Sequence, residues 1–117
     1  SRFLNSPAKL PYGDRARIDD SKITDYLLSL SHPVGSGKAR FFLALGYDTE
    51  SLKASLLSLA IAGEVVHHEV SSYGEKYVVD GTIVSPRSKE AYIRTVWIID
   101  RGEKWPRLVT AHPLEAK

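Results

Sequence analysis

AYIRTVWIIDRGEKWPRLVTAH, residues 91–112, holds two runs rich in β-branched and aromatic side chains, residues 92–99 and 108–111. The DRGEKWP between them carries the glycine and proline of a turn, so the stretch predicts an antiparallel hairpin. Arg94, Thr95, Arg107, Thr110 and His112 interrupt its apolar character. Successive side chains of a strand face opposite ways, so these polar groups either meet solvent or line a site. If Thr95 stands opposite Thr110, then Thr95, Trp97, Thr110 and His112 share one face. A shift of one residue gathers Arg94, Thr110 and His112 instead. Regular alternation puts Leu108 with Thr110 and His112, and Arg107 with Val109 on the other side.

Upstream lie two more strand-like runs, residues 64–70 (EVVHHEV) and 76–84 (KYVVDGTIV). Before Gly63 the apolar period becomes helical. Leu52, Leu56, Leu59 and Ala60 follow a cap at Asp48 or Thr49. Residues 38–45 form a second helix with Phe41, Phe42 and Leu45, and Gly46 is its C′ residue. Ser21 caps a first helix reaching about residue 29, with Ile23, Tyr26, Leu27 and Leu30 near one face. Residues 1–13 (SRFLNSPAKLPYG) have two prolines, a glycine and no periodicity, and read as an arm or linker. Residues 14–117 then make one α+β domain, with N-terminal helices packed on one face of a four-stranded antiparallel sheet. The opposite sheet face is the natural platform for a ligand.

Composition narrows the chemistry. The 117 residues include no cysteine, which removes disulfides, thiolates and Cys-based zinc sites. His67 and His68 are adjacent on a strand and point to opposite faces, so no metal or cofactor is expected. No apolar run approaches the roughly 20 residues of a membrane span. The lack of methionine suggests a module of a longer polypeptide. Net charge is only +2, but it is unevenly spread. Residues 1–46 carry seven Lys and Arg against four Asp and Glu, residues 47–85 two against six, and residues 86–107 six against three. Two basic segments flank an acidic middle, and would form one basic surface if the N-terminal part packs beside the hairpin.

The GSGK within residues 34–40 resembles a phosphate loop without completing one. His32 stands where the first glycine belongs, Ala39 where Ser or Thr should follow the lysine, and a helix rather than a strand precedes it. What remains is a glycine-rich helix start, with Lys38 and Arg40 able to hold a phosphate and His32 at its edge. The hairpin cluster is the stronger lead. Cleaving RNA without a metal needs a base for the 2′-hydroxyl, an acid for the 5′-oxygen, and cations or hydrogen-bond donors for the phosphorane. Imidazole serves the first two tasks, Arg and Lys the third, and hydroxyls orient the phosphate. Trp97, Trp105, Tyr92 and Tyr77 offer rings for bases, or for the core.

The segments DRARID, TDYLL, HPVGSGKARFFLALGY, YGEKYVVDGTIVSP and RTVWIIDRGEKWPRLVTAHP resemble a bacterial family of small domains of formally unknown function. Such domains occur alone or at the C-termini of large secreted proteins, contact-dependent inhibition proteins among them. The resemblance spans about residues 9–113. The closing pair of strands, VW then PRLVTA, is also similar to the ends of toxins in the barnase/EndoU/colicin/RelE-like ribonuclease superfamily. That resemblance implies helices on a four-stranded antiparallel sheet and a metal-independent site on its open face. It points to His32, Lys38, Arg94, Thr95 and Thr110. Where relatives read TAYP, this chain has Thr110–Ala111–His112–Pro113, with imidazole in place of a phenol.

The expectation is therefore a metal-independent endoribonuclease toxin cleaving tRNA or other structured RNA. His32, Arg94, Thr95, Thr110 and His112 would be catalytic, while Lys38, Arg40, Arg107 and Trp97 would bind phosphate or RNA. Its partners would be RNA and a cognate acidic immunity protein, and the unbound chain would be a monomer. It would be delivered as the C-terminal part of a larger protein into a target-cell cytoplasm, or act in the cytoplasm as a stand-alone toxin. The alternative is a non-catalytic inhibitory module that binds RNA or protein.

Overall fold

The computed structural model describes residues 9–31 and 36–114. A 3-10 turn (Gly13–Arg15) precedes α1 (Asp20–Lys22), which runs into a π-helical turn (Ile23–Leu27). Then come α2 (Ser36–Ala44), α3 (Thr49–Ala62), β1 (Glu64–Ser71), β2 (Gly74–Val84), β3 (Glu90–Asp100) and β4 (Arg107–Pro113). The strands form one antiparallel sheet in the order β1-β2-β3-β4, an open meander. The helices cover one of its faces, which is the α+β arrangement expected from the order of periods.

Local chemistry sets the helix limits. The Asp48 carboxylate accepts the Ser51 N–H at 2.9 Å, and the Ser51 hydroxyl accepts the Asp48 N–H at 3.0 Å, a reciprocal capping box. Gly46 follows α2 at φ +90°, a left-handed conformation that suits glycine. The first helix is less regular than its apolar spacing suggests. The Leu28 N–H bonds the Ile23 carbonyl, five residues back, at 2.7 Å, which widens the turn. Ile23 and Leu27 remain fully buried, and Tyr26 stays partly exposed on the flank.

Leu52, Leu56, Leu59 and Ala60 of α3 share one core with Tyr77, Val79, Ile83, Ile93, Trp97, Leu108 and Ala111 of the sheet. Leu10 joins that core at 4% exposure. The Lys9 ammonium donates to the Ala62 carbonyl at 2.8 Å, and Gly13 approaches α3 so closely that a Cβ would lie 2.3 Å from the Ala60 oxygen. The packed domain therefore reaches back to residue 9, and the boundary drawn from composition between residues 13 and 14 is corrected. Long-range apolar contact places this segment, and a local period does not report it. The remainder of the expected arm, residues 1–8, lies outside the described residues.

In the last hairpin Arg94 pairs with His112, Thr95 with Ala111 and Val96 with Thr110. The register then shifts so that Trp97 pairs with Leu108, leaving Val109 as the extra residue of a bulge. Regular alternation would have grouped Leu108 with Thr110. The bulge instead turns both Leu108 and Ala111 into the core, while Thr110 and His112 share the open face with Arg94 and Val96.

This register corrects two expectations. Thr95 and Trp97 lie on the helix-covered face, each at 0% exposure. The Thr95 hydroxyl donates to the Val79 carbonyl at 2.8 Å and accepts the Trp97 indole N–H at 2.7 Å. Both are core groups satisfying each other, and neither reaches a ligand on the open face. His67 and His68 do point to opposite faces, pairing with Val78 and Tyr77 beyond a second irregularity between Val65 and His67.

Candidate functional site

Three side chains from distant parts of the chain converge at the β4 edge. The Lys38 ammonium, from the first turns of α2, donates to the Tyr26 phenol oxygen at 2.5 Å and to the Thr110 hydroxyl at 3.2 Å. The Tyr26 and Thr110 oxygens lie 3.1 Å apart, closing the triangle. Lys22 and Lys38 also approach the Tyr26 ring, at 5.4 and 4.8 Å from its centroid. Burial pushes the Tyr26 phenol up. Its hydrogen bonds with Lys38 and Thr110 and the two lysine charges outweigh that, so it titrates below the ordinary tyrosine value of 10.0.

His112 lies two residues beyond Thr110 on the same face, about 6.7 Å along the strand. Its Nδ1 sits 3.1 Å from the Pro113 carbonyl oxygen. A carbonyl only accepts, so this bond places the proton on Nδ1 and leaves the Nε2 lone pair outward. Arg94 stands opposite His112 and forms a bidentate pair with Asp80 of β2, at 2.9 Å from Nε to Oδ1 and 2.8 Å from Nη2 to Oδ2. The row Asp80, Arg94, His112 therefore runs across three strands beside the row Val78, Val96, Thr110.

The structure thus joins Lys38 to Thr110, with Arg94 and His112 on the same face. His32 lies outside the described residues. Arg40 is exposed on α2, roughly 200° around the helix from Lys38, and does not share its direction. Arg107 is held at the base of the β3–β4 turn by Asp100, with bonds of 2.6 and 3.1 Å. The two basic segments do come together. Arg17 bridges β4 through the Pro106 carbonyl at 2.8 Å and the Leu108 N–H at 3.0 Å. Among the described residues no group of three or more His, Asp or Glu could hold a metal ion, and no helix is long and apolar enough to cross a membrane.

Sequence reasoning left two members of this surface unassigned. Tyr26 read as a core position because its spacing from Ile23 and Leu27 is that of one helical face. Asp80, on the strand before the hairpin, read either as a helper of the cluster or as plain surface charge, because its burial depends on Arg94 folding over it. A tyrosine in an amphipathic helix carries no local mark of a partner 84 residues away.

Comparison with known proteins places the chain in context. The model of a family described as a domain of unknown function matches residues 9–115. No curated protein matches the sequence. Among solved structures, a chain of a contact-dependent growth inhibition toxin–immunity protein complex from Klebsiella pneumoniae 342 shares the fold. The TM-score is 0.71 at 15% identity, over 89% of this chain and 97% of that one. At that identity the likeness concerns the fold.

Proposed function

We propose that this chain, which belongs to the DUF6883 domain family, is the toxin of a toxin–immunity pair and a metal-independent endoribonuclease acting on tRNA or other structured RNA. The observation that carries the reading is the Lys38–Tyr26–Thr110 triangle on the rim of an open sheet face, with His112 beside it. The shared fold with a chain of a toxin–immunity complex supports the biological setting. Delivery as part of a larger protein and an acidic immunity partner belong to the same proposal.

The chemistry follows from the groups present. The Nε2 lone pair of His112 takes the proton of the substrate 2′-hydroxyl, whose oxygen attacks phosphorus. The P–O5′ bond breaks and the leaving 5′-oxygen takes a proton from the Tyr26 phenol, whose lowered pKa makes it the better acid. The products are a 2′,3′-cyclic phosphate and a 5′-hydroxyl. Lys38 uses two of its three N–H bonds on Tyr26 and Thr110, leaving the third for a non-bridging phosphate oxygen. Thr110 orients the same phosphate, and charge accumulating on the phosphorane meets a cation already in place.

The test is incubation of the purified protein with total RNA in excess chelator, scoring 2′,3′-cyclic phosphate ends. The wild type is expected to produce them; Thr110→Ala and Tyr26→Phe are expected to lose about 100-fold or more. A wild-type protein that arrests cells without such ends, and whose Thr110→Ala variant arrests them equally, would replace this mechanism with the non-catalytic binding module.

A further inference from the structure

Asp80 is a carboxylate on the open face of the sheet, yet it is only 6% exposed. Covering a charge so fully is unfavourable unless its oxygens are paired, and Arg94 pairs both. That pairing uses one edge of the guanidinium, Nε–H and one N–H of Nη2. Three of the five N–H donors remain, both on Nη1 and one on Nη2, and they lie at the tip. The Arg94 side chain is 39% exposed, and among the described residues no other group takes a hydrogen bond from that tip. The hydrogen bonds that Arg94 donates to Asp80 also hold the guanidinium above its ordinary pKa.

Arg94 is two strand positions from Val96, the partner of Thr110, about 6.7 Å along the strand. The fork is thus one row away from the Lys38–Thr110 pair and aimed from the same face. We infer that Arg94 is a second phosphate subsite, taking the phosphodiester next to the scissile one, and that Asp80 is the positioning residue that aims it. The subsite demands a ligand with at least two phosphodiesters and gives a dinucleoside monophosphate no advantage. This assignment rests on the ribonuclease reading for the identity of the first phosphate.

The test separates aim from charge. Asp80→Asn removes a negative charge beside the subsite, so simple electrostatics predicts tighter RNA binding, whereas loss of aim predicts weaker binding. The probes are a 2′-O-methyl hexanucleotide, which binds without offering a nucleophile, and a 2′-O-methyl dinucleoside monophosphate, measured by fluorescence anisotropy. Asp80→Asn is expected to weaken hexanucleotide binding about tenfold and to leave the dinucleoside within about twofold. Arg94→Lys keeps the charge but loses the fork, and is expected to behave alike. It carries the test if Asp80→Asn fails to fold by circular dichroism. Asp80→Asn added to Arg94→Gln should cost nothing further, since Asp80 acts through Arg94.

Tighter or unchanged hexanucleotide binding in Asp80→Asn, equal losses on both probes, or additive losses with Arg94→Gln would overturn the assignment. Hexanucleotide bound in the expected pattern, with unmodified RNA left uncleaved, would sink the ribonuclease reading and keep the subsite. A wild type that binds no hexanucleotide overturns both.

Discussion

Thr95→Val keeps the outline of a fully buried β-branched side chain and removes its hydroxyl. The loss strands the Trp97 indole N–H, which now donates to Thr95 at 2.7 Å inside a side chain of 0% exposure. It also takes a donor from the Val79 carbonyl. Leaving a buried donor unsatisfied costs about 1–3 kcal/mol, and the methyl gained in place of the hydroxyl offsets up to about 0.8 kcal/mol. The expected net loss is about 2 kcal/mol. At about 4 °C per kcal/mol for a domain of this size, the melting midpoint falls by about 8 °C. Thr95→Ser keeps both hydrogen bonds and drops one methyl, so its loss should be smaller, about 1 kcal/mol. Thermal and urea unfolding followed by tryptophan fluorescence measure both variants. RNA cleavage assayed well below either midpoint should match the wild type. A Thr95→Val protein as stable as the wild type would refute the hydrogen-bond account. A well-folded Thr95→Val that loses more than about tenfold in cleavage would return Thr95 to the site and break the argument from register.

Three further outcomes are expected. In an absorbance titration of the six tyrosines, one component, Tyr26, should ionise early, with Tyr47 late because of its burial and Tyr77 late because of burial and its contact with Glu75. Lys38→Ala should move the early component upward, and an early component that stays put would refute the coupling. The folded-state pKa of Tyr26 is depressed. Its contribution to stability is therefore present above the unfolded value of 10.0 and lost as pH falls through the folded value. Asp48→Ala should lower the melting midpoint at neutral pH by opening the capping box of α3. Backbone and side-chain hydrogen bonds from Ser51 hold that carboxylate below 3.8, so the gap from wild type should close as pH falls through the depressed value; a gap constant with pH would exclude the cap. Gly13→Ala would press a methyl against the Ala60 carbonyl and should destabilise by about 1–3 kcal/mol in urea unfolding. Unchanged stability there would remove residues 9–13 from the packed domain.

The element order needed nothing beyond local pattern. Leu52, Leu56, Leu59 and Ala60 repeat at helical spacing, Gly46 and Asp48 punctuate two helices, and the change to strand-like runs after Gly63 announces the sheet. Helix and strand periods arise from the geometry of a few consecutive residues, so they survive in one dimension. The choice of Arg94, Thr110 and His112 as groups sharing one face was also open to reasoning from the hairpin, as one of its two registers.

Choosing between those registers required tertiary packing. Val109 is an unremarkable apolar residue in an apolar run, and it became the bulge because Leu108 and Ala111 both gain burial when it does. That one extra residue sets Thr110 opposite Val96 rather than Thr95, so Thr110 stays on the open face while Thr95 and Trp97 face the core. Tyr26 and Lys38 joined Thr110 for a similar reason: their contacts with it span 84 and 72 residues, beyond the reach of any local pattern. Local sequence reports which side chains alternate. Which of them meet depends on the core that forms beneath, and in AYIRTVWIIDRGEKWPRLVTAH that core made Thr95 a structural hydroxyl and Thr110 a corner of the site.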